Sequence, residues 1–435
     1  MQYKTVLGTM LAVLATAHVT AGELGADIDA HARAIEAKLI AWRRDIHANP
    51  ELGNRETRTG ALVAEHLRRL GLEVTTGVAY TGVVGLLRGN RPGPVIALRA
   101  DMDALPVTEE TGLPFASKAR GIFDGKDVGV MHACGHDTHV AILMAVAEVL
   151  ASQRERLPGT IKFIFQPAEE GPPAGEEGGA ALMIKQGVLE NPRPEAIFGL
   201  HIAAGIHAGK IHYRPGPLMA SADMLKIKVK GRQTHAATPW RGVDPIVIAA
   251  QVVLGLQTIE SRQVDVTLEP SVISIGSIHG GLRFNIIPED VELVGTIRTY
   301  DEAMKRDIHA RIARTAKLIA ESAGGSAEVM IDSPYGVTVN DAKLTEWALP
   351  TLRRVAGADK LQLSPKRTGA EDFSFYAQQV PGLFFFLGGT APDIAETSAA
   401  PNHSPRFVVD ESSLLLGVRA MAQLALDYLQ TGGGH

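Results

Sequence analysis

Cysteine is all but absent: Cys134 is alone in a chain of 435 residues. One cysteine excludes an intrachain disulfide framework. An excess of basic charge is missing too. The 43 Lys and Arg against 48 Asp and Glu leave a formal net charge of −5, which removes the electrostatic case for nucleic acid or an anionic membrane as partner. Nothing repeats at a fixed period, so a solenoid is not indicated. Beyond the N-terminus no apolar run reaches the length of a membrane span. What remains is an ordinary globular composition, with chain enough for two or three domains.

The N-terminus has the pattern of a processing segment. Lys4 ends a short polar stretch, and Thr5 to Ala17 is apolar but too short to cross a bilayer. Val19-Thr20-Ala21 then offers a small-residue cleavage site, with Ala15-Thr16-Ala17 as a second choice. The expectation is a signal peptide over 1–21 and an exported protein, periplasmic or secreted. A bare thiol is a liability in oxidising surroundings, which favours a cysteine held by metal.

That cysteine stands in Met131-His132-Ala133-Cys134-Gly135-His136-Asp137-Thr138-His139. A thiolate and an imidazole two positions apart reach one metal ion when the backbone between them is kinked, and Gly135 permits the kink. A lone cysteine is more often a small buried hydrophobe. The histidines and aspartate crowded around this one reverse those odds.

Ile35, Leu39, Trp42 and Ile46 recur at helical spacing, as do Leu62, Val63, His66, Leu67 and Leu70 ahead of Gly71. Apolar runs of strand length follow: 95–98, 161–165, 196–200 and 383–387, with a buried helix over 140–150 and a final helix over 412–428. Such alternation predicts an α/β fold, a sheet covered on both faces. The segment from about 218 to 331 differs. Met224 to Lys230 alternates apolar and basic residues, the mark of a strand with one wet face. A helix (244–259), two strands (271–278 and 290–299) and a helix (304–323) follow. This β-α-β-β-α-β order predicts an inserted ferredoxin-like domain, dividing the mature chain into 22–217, 218–331 and 332–435.

In open α/β sheets ligands bind beyond the carboxyl ends of the strands. Each candidate strand here runs into metal-binding side chains: Asp101 and Asp103; Glu169 and Glu170; His201; and, after the last strand, His403. Several at equivalent strand ends imply a shared pocket. On an extended chain Glu169 and Glu170 point opposite ways, so one is expected to bind metal while its neighbour handles protons. Glu176-Glu177, in a Pro/Gly loop, is read as a solvated acidic turn.

Several ordered motifs carry a resemblance to a known family. They are Arg43 to Gly53, Arg99-Ala100-Asp101-Met102-Asp103-Ala104-Leu105-Pro106, the Cys134 loop, Phe165 to Gly171, Gly199-Leu200-His201, Thr368 to Phe373, and Asn402-His403-Ser404. Over nearly the whole mature chain the sequence resembles the amidohydrolase branch of the aminoacylase-type metallopeptidases. That branch includes hippurate hydrolases, N-acyl-amino-acid amidohydrolases and hydrolases of indole-acetyl-amino acids. The resemblance implies a mixed-sheet α/β/α dinuclear-metal catalytic domain with an inserted lid and dimerisation domain. It implies two divalent ions per subunit held by Cys134, His136, Glu170, His201 and His403, with Cys134 bridging. Glu169 would be general base and acid, and Asp101 and Asp103 would support the ligands from behind. His235 would reach the active site of the partner in a homodimer, or in a higher oligomer, and stabilise the oxyanion. Asn285 and Arg298 would grip the substrate carboxylate, for which the planar fork of Arg is well suited.

The function expected is hydrolysis of the amide in N-acyl amino acids, with dipeptides also in view, by a water the metals activate. Mixed N, O and S ligands suit zinc, and a carboxylate-bearing dinuclear site also suits manganese, nickel or cobalt. Two departures from the resemblance bear on the acyl group: the long Pro/Gly stretch 171–179, and Ile202-Ala203-Ala204 where a bulkier aromatic is common. Two competing readings stand beside this one. Cys134 could be a nucleophile with a histidine base, or the chain could be an exported metal- or solute-binding protein without catalysis.

Overall fold

Strands buried on both faces fix the framework. The computed structural model describes residues 21–432; the expected signal peptide, save Ala21, lies outside them. Eight strands form one mixed sheet, in the spatial order Glu73–Val78, Gly82–Arg88, Pro158–Gln166, Arg91–Asp101, Ala196–His207, Gly382–Thr390, Ile211–Tyr213 and Leu361–Leu363. The central four, Pro158–Gln166 to Gly382–Thr390, run parallel. They read as unbroken apolar runs because helices cover both sides; every residue of Gly382–Thr390 is buried. On one face lies the helix His136–Ala151, packed against the sheet and against helices Glu36–Ala48 and Leu414–Thr431. Neighbours on almost every side explain why it is apolar nearly all round. The other face is closed by the short helices Gly179–Lys185 and Phe373–Ala377, whose Phe373 and Tyr376 pack with Phe384.

Between these parts lies the inserted α+β unit. Its strands stand in the order Ser271–Gly280, Asp290–Thr299, Ala222–Lys230, Ser326–Tyr335, all antiparallel. Helices Pro245–Arg262 and Glu302–Ser322 cover one face and enclose a separate apolar core around Leu225, Ile227 and Val229. Asp244 and Asp301 begin these helices, their carboxylates accepting from Ile246 N and Met304 N. On the wet face Lys226, Lys228 and Lys230 pair with Glu292, Asp290 and Glu328, so the alternation in the sequence has a direct cause. Ala222 pairs with Tyr335 at the point where the chain enters and leaves the unit.

One strand differs from expectation. The run at 196–200 does not end before His201; it continues to His207 because Ile202 and Ala203 are themselves buried and pair with Leu387 and Gly388. Among the described residues no helix is long and apolar enough to cross a membrane.

Candidate functional site

The Cys134 loop is shaped by backbone that only glycine adopts freely. Gly135 has φ 96 and precedes the helix that opens at His136. A Cβ at this position would lie 2.3 Å from Ile202 Cγ2, so loop and neighbouring strand are in contact. Beneath the loop, buried Asp137 meets Arg43 Nε at 2.8 Å and His47 Nδ1 at 2.9 Å.

Two sets of donor atoms meet at the thiol. Cys134, His136 and His201 form one, and Cys134, Glu170 and His403 the other, the atoms in each lying within 4.8 Å of one another. Cys134 Sγ is 3.2 Å from His201 Nε2 and 3.2 Å from His403 Nε2, and His403 Nε2 is 3.0 Å from Glu170 Oε1. The ring orientations are held from behind. His136 Nδ1 donates to the Asp103 carbonyl at 2.9 Å and His201 Nδ1 to the Ile202 carbonyl at 2.6 Å. A carbonyl can only accept, so the proton stays on Nδ1 and Nε2 is turned to the cluster. Buried His136 Nε2 has no hydrogen-bond partner, the condition in which a ligand nitrogen waits for a cation.

The supporting aspartates are both committed. Asp101 binds His139 Nδ1 at 2.5 Å through one oxygen and Arg99 at 2.7 Å through the other. His139 accepts from Ile202 N through its remaining nitrogen, so neither ring atom is free for a metal. Asp103 meets His136 Nδ1 at 3.2 Å and accepts from Glu170 N at 2.9 Å, orienting two members of the cluster at once.

Glu169 and Glu170 do not point opposite ways as expected, because the chain there is a turn and not extended. Ala168 sits at φ 51, and both carboxylates approach His136 Nε2, at 3.9 and 4.0 Å. They nonetheless differ. Glu170 belongs with Cys134 and His403, whereas Glu169 also groups with Asp101 and Glu371. The Glu169 carboxylate accepts from Asp372 N at 3.3 Å, and its backbone carbonyl accepts from the Tyr335 hydroxyl of the inserted unit at 2.7 Å.

Charge decides what this cage can hold. Asp101, Asp103, Glu169, Glu371 and Asp372 are all buried, and buried Arg99 is the cation among them, 2.7–3.0 Å from Asp101, Glu371 and Asp372. Burial, then the charges of Glu371, Glu170, Asp372 and Asp101, push the Glu169 pKa well above the carboxylate range. Burial and the nearby Glu170 and Glu169 push the Cys134 thiol up as well. Burial opposes a charge on His136, but Asp101 and Asp103 outweigh it and hold its pKa at about 10. A proton and a metal ion therefore compete for the same nitrogen. An excess of buried negative charge with N, O and S donors fits a pair of divalent cations.

His235, Asn285 and Arg298 are not part of this cluster. They lie on the inserted unit, His235 exposed and Asn285 next to it through the Ala236 N to Asn285 O bond of 3.0 Å. Among the described residues no hydrogen bond or ion pair joins any of the three to the cluster, and the Arg298 side chain has no such partner. Arg99, Gln166, Glu371 and Asp372 carry no role in the sequence pattern, yet they join the buried cage. Gln166 accepts from Arg99 Nε at 2.9 Å and donates to Asp372 at 2.7–2.8 Å. The signal was in reach: Arg99 and Asp101, two apart on a strand, share a face. Glu176 and Glu177 stay in contact with solvent as expected, Glu176 pairing at the surface with Arg55 at 2.5 Å and accepting from Asn54 at 3.0 Å, and Glu177 pairing with Lys185 at 2.8 Å.

Known proteins resemble this chain in sequence and in fold. The profile of peptidase family M20/M25/M40 matches residues 97–427. Thermostable carboxypeptidase 2 of Saccharolobus solfataricus is 42% identical over 396 residues, 91% of this chain and 96% of the relative. N-acetyl-L-cysteine deacetylase of Bacillus subtilis is 37% identical, over 88% of this chain and 86% of the relative. Among solved structures, a dinuclear metal-binding peptidase of the M20 family from Bacillus subtilis superposes with a TM-score of 0.76 at 34% identity, covering 92% of this chain and 99% of that one.

Proposed function

The chain belongs to peptidase family M20/M25/M40, and on that premise we propose that it cleaves the amide between an acyl group and an amino acid. The products are a free carboxylic acid and the amino acid. The single observation that carries the proposal is the pair of donor sets sharing Cys134, with a further carboxylate, Glu169, against them.

In this reading Cys134, His136 and His201 would hold one divalent ion and Cys134, Glu170 and His403 the other, with zinc or manganese the metals that suit the donors. Bound there, two such ions supply Lewis acidity that polarises a carbonyl and brings the pKa of water toward neutrality. Glu169 takes the proton of the attacking water and delivers it to the departing nitrogen, which must leave as an amine. Its environment suits both halves of that task, since burial and neighbouring carboxylates favour the protonated form while Asp372 N steadies the ionised one. Arg99, tied to Asp372 and Glu371, keeps the segment that carries this N–H in place. His235, reaching from the inserted unit of the partner subunit in a homodimer, stabilises the oxyanion, and Asn285 and Arg298 hold the amino acid's carboxylate. Mixing subunits inactivated separately at Glu169 and His235 tests this, since only an intermolecular site recovers activity.

Exchange of Glu169 for Gln is the decisive experiment for the reaction. Turnover of N-acyl amino acids should fall by about 10²–10⁴-fold with two metals still bound by elemental analysis. Retained turnover would refute the assignment. A cysteine-nucleophile reading has the thiol's environment against it, because burial and carboxylates hold Cys134 protonated in the absence of a cation.

A further inference from the structure

We propose that Tyr335 is a positioning residue for the reaction: its hydroxyl fixes the peptide that joins Glu169 to Glu170 and thereby aims both carboxylates. This rests on the hydrolase reading above and adds to it a residue of the inserted unit.

The turn that carries the two glutamates has to be imposed. Ala168 sits at φ 51, a left-handed conformation that a residue with a Cβ keeps only when its surroundings hold it there. Ala168 N donates to Glu56 Oε1 at 2.8 Å, and Gly171 N donates to the Ala168 carbonyl at 3.4 Å. Between these two bonds, the peptide linking Glu169 to Glu170 is gripped at both ends. Its N–H donates to Asp103 Oδ2 at 2.9 Å, and its carbonyl accepts from the Tyr335 hydroxyl at 2.7 Å. Glu56 and Asp103 belong to the catalytic domain. Tyr335 ends the strand Ser326–Tyr335 of the insert.

A peptide unit is planar, so turning this one redirects the side chain on either side of it. Those side chains are the Glu169 carboxylate, 3.9 Å from His136 Nε2, and the Glu170 carboxylate, 3.0 Å from His403 Nε2. The effect runs one step further. A hydrogen bond accepted by a peptide carbonyl strengthens the N–H of the same peptide as a donor. Here that N–H is held by Asp103, whose other oxygen meets His136 Nδ1 at 3.2 Å. One hydroxyl is thus linked, through a single peptide, to the proton-handling carboxylate and to two of the metal donors.

Tyr335 itself is anchored in the insert. Lys305 Nζ donates to its carbonyl at 3.4 Å. Lys305 and Ser333 also bind the buried carboxylate of Asp223, Lys305 at 3.3 Å. The hydroxyl therefore moves with the insert, and the two glutamates are aimed only while the insert is seated.

The test removes the donor and keeps the ring. Tyr335→Phe is compared with the parent and with replacement of Tyr335 by 4-aminophenylalanine, which restores an N–H donor at the same place. Apparent Tm confirms the fold of each. Zinc affinity is read by competition with a chromophoric chelator, and kcat and KM on an N-acyl amino acid with both metals bound. Tyr335→Phe should lower kcat and the affinity of the weaker zinc site about tenfold each, the scale for groups that support metal ligands from behind. KM should stay within about twofold, because the contact aims reacting groups and does not bind substrate. The 4-aminophenylalanine protein should recover most of both losses. The proposal is overturned if Tyr335→Phe matches the parent in kcat and zinc affinity, or if 4-aminophenylalanine does no better than Phe. A parent that hydrolyses no conjugate refutes the hydrolase reading, and the zinc titration then still decides whether Tyr335 aims the carboxylates.

Discussion

Replacing Arg99 by Met should harm the metal-free protein far more than the metal-loaded one. Arg99 is 2% exposed, and its guanidinium lies 2.7, 2.8 and 3.0 Å from Asp101, Asp372 and Glu371. Removing it leaves three buried carboxylates facing one another. Breaking a buried pair in this way costs about 3–5 kcal/mol, an upper bound here because protonation relieves part of it. Burial already holds the Glu371 and Asp372 pKa at about 8 and about 6, even with Arg99 pulling the other way. At about 2 °C per kcal/mol for a large domain, the chelated variant should melt below the chelated parent by up to about 6–10 °C. Divalent ions supply positive charge to the same cage, so adding Zn²⁺ or Mn²⁺ should raise the variant's Tm by more than the parent's. Arg99→Lys, which keeps charge but loses the fork, should fall between. Thermal melts of the three proteins, with and without metal, decide it. Equal Tm values for chelated parent and Arg99→Met would refute the view that this cage is strained by its own charge.

Gly135→Ala should lower metal affinity, because it demands a left-handed backbone and drives a methyl into Ile202; titration with a chromophoric chelator reads the loss. Cys134→Ser should leave fewer than two metals per chain by elemental analysis and reduce kcat, since both donor sets lose their shared atom. His47 offers a pH test. Burial lowers its pKa, but Asp137 and Glu109 prevail and hold it at about 9. Stabilisation from the charged form is thus complete below the unfolded value of 6.5 and fades as pH rises to about 9. It amounts to about 3 kcal/mol at most. Melts of the parent should fall across that window and those of His47→Gln should be flatter; parallel curves would refute the coupling.

Much of the fold was legible because burial writes itself into sequence. Strands closed on both faces, such as Gly382–Thr390, must be apolar throughout, and the half-wet strand Ala222–Lys230 must alternate. The site was legible to the extent that side chains at the carboxyl ends of parallel strands have one place to meet. What failed did so locally. The turn at Ala168 depends on a positive φ in a residue that rarely adopts it, so the shared aim of Glu169 and Glu170 could not be read from an extended chain. The continuation past His201 depends on a partner strand nearly two hundred residues later. Arg99 and Asp372 are likewise a long-range pair, whose charges look solvated until the fold brings them together.

The position of the insert has a consequence for biogenesis. Cys134, His136, Glu170 and His201 are all made before the ribosome reaches residue 222, and His403 emerges only after residue 335. The residues of the α+β unit, closed at its base by Ala222 and Tyr335, are therefore all made before the last donor exists. Metal captured at that moment would act as a clasp between the oldest and youngest portions of the polypeptide.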